Sequence, residues 1–589
     1  MKYWTLIKKN ADFNGLSKEL DIDPVAVRLM VNRGLESLAE MKDFLDEDIS
    51  GSFLYEGLPY IEEAVETIKE SKAAKLKCRI IGDYDADGVL ATAILMKGLK
   101  AYGLDCDFAI PNRLTEGYGI NVNIVEKAYE DKVGIIVTCD NGISAKEAID
   151  KAFDYGMKVV VTDHHTLTDA MVPTKWNALV NPKCPNNKYP FADICGAMVA
   201  FKLLCALFEN DDSFESLKYE LLELAAIATD TDVMPLIKEN RKAVKWLLYR
   251  LKNPTNMGLR ALANKTGIAE KDGPSKTGDI GFKIGPCINA TGRIDVADRA
   301  VKLFVSDDLK EIDLIATELV SINEERKIIT EECFVEANEE IDRILSKKNG
   351  LDDIIVMYLP KCHMSICGLV AGRLKEKYYR PCIVLTDSPE GLTGSGRSID
   401  EFNLIENIQK CSDLLSKFGG HKAACGMSLK KENLQAFKEK INDVSALTKE
   451  DLTEKLRIDA DMPFSYVTDK TIDSIKRLEP FGTGNVTPVF ALQSLKIVKG
   501  KKTGSEGQHL FLTVRDKQGK TRLLKYWRKC EEFEEFLLEK ISLDCLDRFY
   551  SYDGIEDENL LITVSYMPDI NEFNGFRNIE FTLKDYKYS

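Results

Sequence analysis

Three short apolar runs in this 589-residue chain each end in carboxylates or imidazoles. CRIIG leads into Asp83-Tyr84-Asp85-Ala86-Asp87-Gly88, GIIVT (134–138) into Cys139-Asp140-Asn141-Gly142, and KVVVT (158–162) into Asp163-His164-His165. A fourth cluster, Asp230-Thr231-Asp232, follows the apolar stretch LLELAAIAT. Taken singly, each is a turn or a helix cap, because Asp and Asn favour both. Brought together, so many carboxylates repel one another unless cations neutralise them. Oxygen ligands with one or two imidazoles suit Mg2+ or Mn2+, whereas zinc prefers more nitrogen or sulfur. The chemistry of such a site is two-metal hydrolysis of a phosphoester, one ion generating hydroxide and both clamping the phosphate.

The elements that must position these residues are legible in the same segments. The helical stretches VNIVEKAYEDK and AKEAIDKAFDYG alternate with the apolar runs. That alternation predicts an α/β fold with a parallel sheet covered on both faces. In an open parallel sheet the carboxyl ends of the strands line the ligand crevice, so consecutive units deliver their acids and imidazoles to one rim.

From about 308 to 345 the pattern becomes a helical stripe without Gly or Pro, through Ile312, Ile315, Leu319, Ile322, Ile329, Cys333, Ala337, Ile341 and Leu345. Such a helix is about 55 Å long and reads as a rigid connector between two lobes. A second αβ region follows, with DDIIVMYLP and PCIVLTD as strands. Five strands then close the chain: SLKIVKG, HLFLTVRD, TRLLKYW, NLLITVSYM and FRNIEFTLKD, a small barrel or sandwich. The expected partition is a helical segment over 1–50, the acidic αβ domain over 51–240, a helical region with the connector over 241–346, a second αβ domain over 347–450 and a β-rich domain over 451–589.

Composition excludes several classes. With 44% hydrophobic and 30% charged residues and only 18 Pro, the chain is neither disordered nor collagenous. No apolar run reaches the roughly 18 residues of a membrane span. The start, MKYWTLIKKNADF, lacks the apolar core of a secretion signal, and a soluble, cytoplasmic protein is expected. The 15 cysteines include no C-x-x-C pair, which leaves them as small reduced core residues. A net charge of −15 argues at first against a polyanionic partner, but eleven Lys or Arg against two acids lie between Lys496 and Lys529. Phe511, Tyr526 and Trp527 interleave with those charges, the pattern of a single-strand-binding barrel face as well as of an ordinary strand alternation.

The motifs GDYDADG, CDNG, DHH and ATDTDVMPL, in this order, resemble the DHH phosphoesterase superfamily. The resemblance continues through NATGR (289–293) and GSGRS (394–398) to FGGHKAACG (418–426), similar to a DHHA1 module, and LEPFGTGN (478–485), which introduces an OB-like domain. It covers about residues 70 to 585 and points to the branch of exonucleases that degrade single-stranded DNA from the 5′ end to mononucleotides, in repair and recombination.

Carried over residue by residue, the resemblance implies metal ligation by Asp83, Asp85, Asp87, Asp140, His164 and Asp232, with Asp140 bridging two Mn2+ or Mg2+ ions. It makes Asp140 and His165 catalytic, His165 as a donor to the scissile phosphate. Arg113 and Tyr118 in PNRLTEGYG, Asn289, Arg293, Ser395, Arg397 and His421 are implied as DNA contacts, several of them on the terminal 5′ phosphate. Single-stranded DNA is the implied partner, fed by a helicase and a single-stranded-DNA-binding protein, with a monomer sufficient. His363 opens a helix, with core packing and DNA contact both open. Departures from the family pattern are Cys362 in place of Trp, Cys425 in place of Ala, and a second acid, Asp230, in the fourth motif. A DHH hydrolase of short oligonucleotides or cyclic dinucleotides and a catalytically dead scaffold are the competing readings. The OB-like tail disfavours the first, and the complete ligand set disfavours the second.

Overall fold

The computed structural model describes residues 2–113, 115–167, 171–347, 350–540, 543–573 and 576–588. The chain divides into two compact units, Glu47–Leu452 and a second built from Met1–Asp46 with Thr453–Ser589. It opens with β1 (Tyr3–Leu6), α1 (Phe13–Leu20), α2 (Pro24–Asn32) and α3 (Leu38–Leu45). The leading strand is a departure from the all-helical reading of 1–50.

The larger unit runs α4 (Ile61–Ala73), β2 (Cys78–Ile81), α5 (Ala86–Tyr102), β3 (Cys106–Ala109), α6 (Val122–Glu130), β4 (Ile135–Cys139), α7 (Lys146–Asp154), β5 (Lys158–Thr162) and β6 (Ala178–Val180). These strands form a parallel sheet in the order β3-β2-β4-β5-β6. Every residue of β2 and β4 is buried, which is why they read as continuous apolar runs rather than as alternation. Their register, Ile81 opposite Thr138 and Cys139 opposite Thr162, ends β2, β4 and β5 almost level. Asp83, Asp140 and Asp163 therefore emerge on one edge. β3 and β6 lack a five-residue apolar run and were not legible in the sequence.

One face of this sheet is covered by α6 and α7. The other is covered by α4, α5 and α8 (Gly196–Leu207), with α9 (Glu215–Thr231) packed on α5 and α8, and α5 is apolar nearly all round because it lies between the sheet and those helices. The layer continues through α10 (Lys238–Leu248), α11 (Met257–Lys265), α12 (Thr277–Asp279), α13 (Gly285–Ile294) and α14 (Asp298–Val305). A π-helical stretch, Ile280–Ile284, joins α12 to α13.

The connector is α15 (Leu309–Lys347), 39 residues long. Ile312, Ile315, Ala316 and Leu319 belong to the core of the acidic domain, whereas Cys333, Ala337 and Ile341 belong to the next one. One rigid rod thus contributes to two cores. The second lobe comprises β7 (Ile355–Tyr358), α16 (Cys367–Tyr378), β8 (Cys382–Ser388), β9 (Gly391–Arg397), α17 (Leu404–Gln409), β10 (Lys417–His421), β11 (Ala424–Leu429) and α18 (Leu434–Asp443). Its sheet order is β10-β11-β9-β8-β7, with only β7 and β8 parallel.

In the smaller unit, β12 (Lys455–Ile458), β13 (Ala460–Asp461) and α19 (Asp469–Lys476) precede β14 (Phe490–Thr503), β15 (His509–Arg515), β16 (Thr521–Tyr526), α20 (Cys530–Lys540), α21 (Leu543–Phe549), β17 (Leu561–Phe573) and β18 (Phe576–Tyr588). Pairing runs β14-β15-β16-β18-β17 and back to β14, a closed barrel of the five strands expected. β1 pairs in parallel with β12, Tyr3 opposite Lys455, and α2 and α3 share one apolar core with the barrel. Residues 1–46 are thus no separate segment. Their apolar periodicity required a partner surface, and the far end of the chain supplies it.

The larger unit also buries a charge. Lys202 Nζ in α8 is fully buried and donates to Leu54 O, Tyr189 Oη and Glu239 Oε2, each at 2.7 Å. Lys202→Met would leave Glu239 without its counter-charge. The expected cost is about 3–5 kcal/mol, measured as a lower urea midpoint for the larger unit.

Candidate active site

The rim is held by backbone donors. Asp85 caps α5, accepting the Gly88 N–H at 3.1 Å. Asp87, in the first turn of α5, accepts the Gly196 and Ala197 N–H groups at 2.7 and 2.8 Å, the exposed donors at the start of α8. Gly196 is required there, because a Cβ would lie 2.6 Å from that of Asp140. Asp140 itself adopts φ 61°, a left-handed conformation that turns its carboxylate across the strand ends.

His164 Nε2 lies 3.1 Å from Asp140 Oδ1, 3.6 Å from Asp87 Oδ2 and 3.7 Å from Asp232 Oδ2. The short approach to Asp140 is out of line for a hydrogen bond, and that oxygen remains unpartnered. Among the described residues, Asp83 Oδ2, Asp232 Oδ2 and His164 Nδ1 are also buried without a partner. Asp140, His164 and His165 bring ligand atoms within 4.8 Å of one another, as do Asp87, His164 and Asp232.

Burial first, and neighbouring carboxylates next, push the Asp83, Asp85 and Asp140 carboxyls above their usual range, and push Asp232 up to about 8. Burial holds the His164 imidazole down, which keeps it neutral and fit to ligate. Orphaned oxygens, a neutral imidazole and unrelieved like charge are the features of a hard divalent-cation site. Asp230 turns the other way, toward Gly281 of the π-helical stretch, and burial alone raises it to about 7.

His165 differs from His164. Its Nδ1 lies 2.8 Å from Asp163 Oδ1, which also accepts the backbone N–H groups of His164 and His165, while Asp163 Oδ2 accepts the Ile143 N–H. Burial opposes the imidazolium, but the Asp163 hydrogen bond and charge outweigh it and hold His165 up at about 9. Tyr118 Oη donates to Asp140 O at 2.8 Å and lies 3.3 Å from the His165 ring nitrogens.

Opposing this acidic rim is a cluster of cations. Arg113 stacks over Tyr84 at 5.0 Å and acts electrostatically on Asp83. Burial first, then Arg113, Arg397 and Arg326, holds Arg293 down at about 9. Arg397 is lowered by burial and Arg113. Ser395 and Arg397 lie two apart on β9 and so share a face. His421 on β10 is exposed rather than core, within electrostatic reach of both Arg397 and His165. Asn289 has a further task, its Oδ1 accepting the Ala86 N–H at 2.9 Å and steadying the acidic loop.

Residues 77–229 match the DHH family N-terminal domain, 352–446 the DHHA1 domain and 458–585 the RecJ OB domain. The single-stranded-DNA-specific exonuclease RecJ of Bacillus subtilis (strain 168) is 32% identical over 99% of this chain and 70% of its own length. That of Haemophilus influenzae is 30% identical over 96% of both. The chain belongs to the RecJ family.

Among solved structures, RecJ from Thermus thermophilus in complex with Mn2+ superposes with a TM-score of 0.80 at 26% identity, covering 100% of this chain and 80% of that one. An exonuclease RecJ bound to manganese gives 0.56 at 32% identity over 67% of this chain and 96% of that one.

Two members of the site in this RecJ-family chain were not singled out from the sequence. Asp163 was visible as the first letter of DHH, yet its work on the His165 ring shows only in three dimensions. Arg326, on α15, carried no local signal. It is oriented by Asn323, a buried side chain whose Oδ1 accepts the Arg326 Nε–H at 3.1 Å. His363 Nδ1 lies 2.6 Å from Ser365 Oγ.

Because the acids repel one another, metal-free Asp140→Asn protein should be at least as stable as metal-free wild type. Saturating Mn2+ should then stabilise wild type by about 2.7 kcal/mol at a hundredfold excess over Kd, and the variant far less, read by thermal unfolding.

Proposed function

We propose that this chain is a 5′→3′ exonuclease that hydrolyses single-stranded DNA to mononucleotides in DNA repair and recombination, acting as a cytoplasmic monomer on strands supplied by a helicase and a single-stranded-DNA-binding protein. The observation that carries the reading is the cluster of orphaned carboxylates and imidazole facing a cluster of arginines on the same unit. One is chemistry for a phosphodiester bond and the other a cradle for the phosphate at its end.

Asp83, Asp85, Asp87, Asp140, His164 and Asp232 would hold two divalent cations, Mn2+ or Mg2+. Bound there, such ions supply hydroxide at neutral pH and draw charge from the phosphate. The remaining steps fall to side chains of this chain. Asp163 accepts the His165 Nδ1–H, fixes the ring and favours its charged form, so that the Nε2–H donates to a phosphate oxygen as charge builds there. Tyr118, anchored to the Asp140 carbonyl, packs edge-on against that ring. Arg113, Arg293, Ser395, Arg397 and His421 receive the terminal 5′ phosphate, which gives the reaction its direction. A site lying between α15-linked lobes favours a threaded single strand over a duplex.

In the barrel unit the aromatic residues of the basic segment separate. Tyr526 is buried in the barrel core, whereas Trp527 is 48% exposed beside His509 and Phe511, with Lys525 over both Phe511 and Trp527. Trp527 and Phe511 make a stacking platform for bases.

The test is digestion of end-labelled single- and double-stranded oligonucleotides with Mg2+, Mn2+ or chelator. Metal-dependent release of mononucleotides from the 5′ end of single strands is expected. Equal digestion of blunt duplex, or cleavage only of very short or cyclic oligonucleotides, would overturn the reading. Asp140→Ala should cost at least about 10²-fold in rate. Trp527→Ala should weaken single-strand binding by about 1–3 kcal/mol, measured by fluorescence anisotropy, with an unchanged Trp527→Ala affinity counting against the platform.

A further inference from the structure

Helix α13 touches both halves of the proposed site. Its flank is locked to the acidic loop by Asn289 and by Gly292, where a Cβ would lie 2.2 Å from Tyr84 O. Its last turn carries Arg293, which is tied twice to the turn that opens α16. Ser365 Oγ donates to Arg293 O at 2.8 Å, and Arg293 Nη1 donates to Ser365 O at 2.8 Å. His363 Nδ1 sits 2.6 Å from the same Ser365 Oγ. A hydroxyl has one hydrogen. Since Ser365 gives its hydrogen to the Arg293 carbonyl, the third contact requires His363 to carry its proton on Nδ1 and to donate.

This arrangement answers two physical needs. The Arg293 carbonyl lies where a helix runs out of its own donors, and Ser365, 3% exposed, supplies one where water has little access. The Arg293 guanidinium meanwhile sits among Arg113, Arg326 and Arg397, whose charges repel it. A flexible arginine in that field would swing away, at no loss of side-chain freedom. The Ser365 carbonyl restrains it through Nη1 and leaves its other N–H groups free of this contact.

We propose that Ser365, backed by His363, is a positioning residue that aims Arg293 at the terminal phosphate and thereby sets the preference for 5′-phosphorylated over 5′-hydroxyl ends. The inference rests on reading the arginine cluster as a phosphate cradle, and it adds a residue that contacts neither metal nor DNA.

The test uses the full chain with Mn2+ and three substrates: a 5′-phosphorylated oligonucleotide, its 5′-hydroxyl counterpart, and bis(p-nitrophenyl) phosphate, a diester with no strand end. Ser365→Ala removes the hydroxyl donor to the Arg293 carbonyl and leaves the Ser365 carbonyl on Nη1. It is expected to lower the phosphate-over-hydroxyl ratio of kcat/KM about tenfold, the scale of one buried carbonyl left unpaired, while hydrolysis of the small diester stays unchanged. Ser365→Thr, which keeps the hydroxyl, should retain the ratio, and His363→Ala should lower it in the same direction. A proportional loss on all three substrates, or an intact ratio in both Ser365→Ala and His363→Ala, overturns the inference. A wild-type chain indifferent to the end group would overturn the cradle itself, and the positioning role with it.

Discussion

Electrostatic repulsion among carboxylates held in a dry strand-end crevice is the constraint around which the larger unit is arranged. Asp83, Asp87 and Asp140 are each at most 2% exposed, and burial together with like charge penalises the ionised forms of Asp83 and Asp140. A fold selected for stability alone would not collect them. The parallel sheet forces the collection by ending β2, β4 and β5 level, and the first turn of α8 relieves part of it by giving two backbone N–H groups to Asp87. What is left unrelieved, the orphaned oxygens of Asp83, Asp140 and Asp232, is the capacity of the site for cations.

The two neighbouring histidines show how position alone divides one residue type into two tasks. His164 is buried and held neutral by that burial, which leaves a lone pair for ligation. His165 is half-exposed, and its contact with Asp163 favours the charged form. An imidazole held neutral and one held charged therefore stand side by side, one peptide apart. The cationic side of the site has the opposite problem, since its arginines repel one another. They are held by tethers to backbone and by aromatic stacking, as with Arg293 on Ser365 and Arg113 on Tyr84. Both halves thus concentrate like charge, each of the sign that an anionic substrate or its metal ions would offset.

Connectivity explains why these halves belong to one unit. α15 contributes Ile312 to Leu319 to one core and Cys333 to Ile341 to another, and between them the buried Asn323 orients Arg326 toward the cluster. α13 adds a second bridge, from the acidic loop at Ala86 to the turn at Ser365. In the barrel unit the same economy appears in strand pairing, where β1 adds to β12 and the first helices complete the barrel's core.

The acidic rim, the parallel sheet, the long connector and the five barrel strands could be read from residue order, because each rests on local periodicity or on a motif a few residues long. Even the ambiguity between Asp230 and Asp232 was visible, though not its resolution: a helix end points residues two apart in different directions, and only packing against Gly281 and His164 decides which faces the cluster. Tyr526 and Trp527 lie on opposite faces because strands alternate, yet closure of the barrel alone determines which face is interior. The short strands β3 and β6, the union of residues 1–46 with the barrel, the place of Arg326 and the Ser365–Arg293 pairing required the tertiary structure. Each depends on contacts between segments tens to hundreds of residues apart, and no local spacing encodes which distant surface a buried face or an unpaired carbonyl will meet.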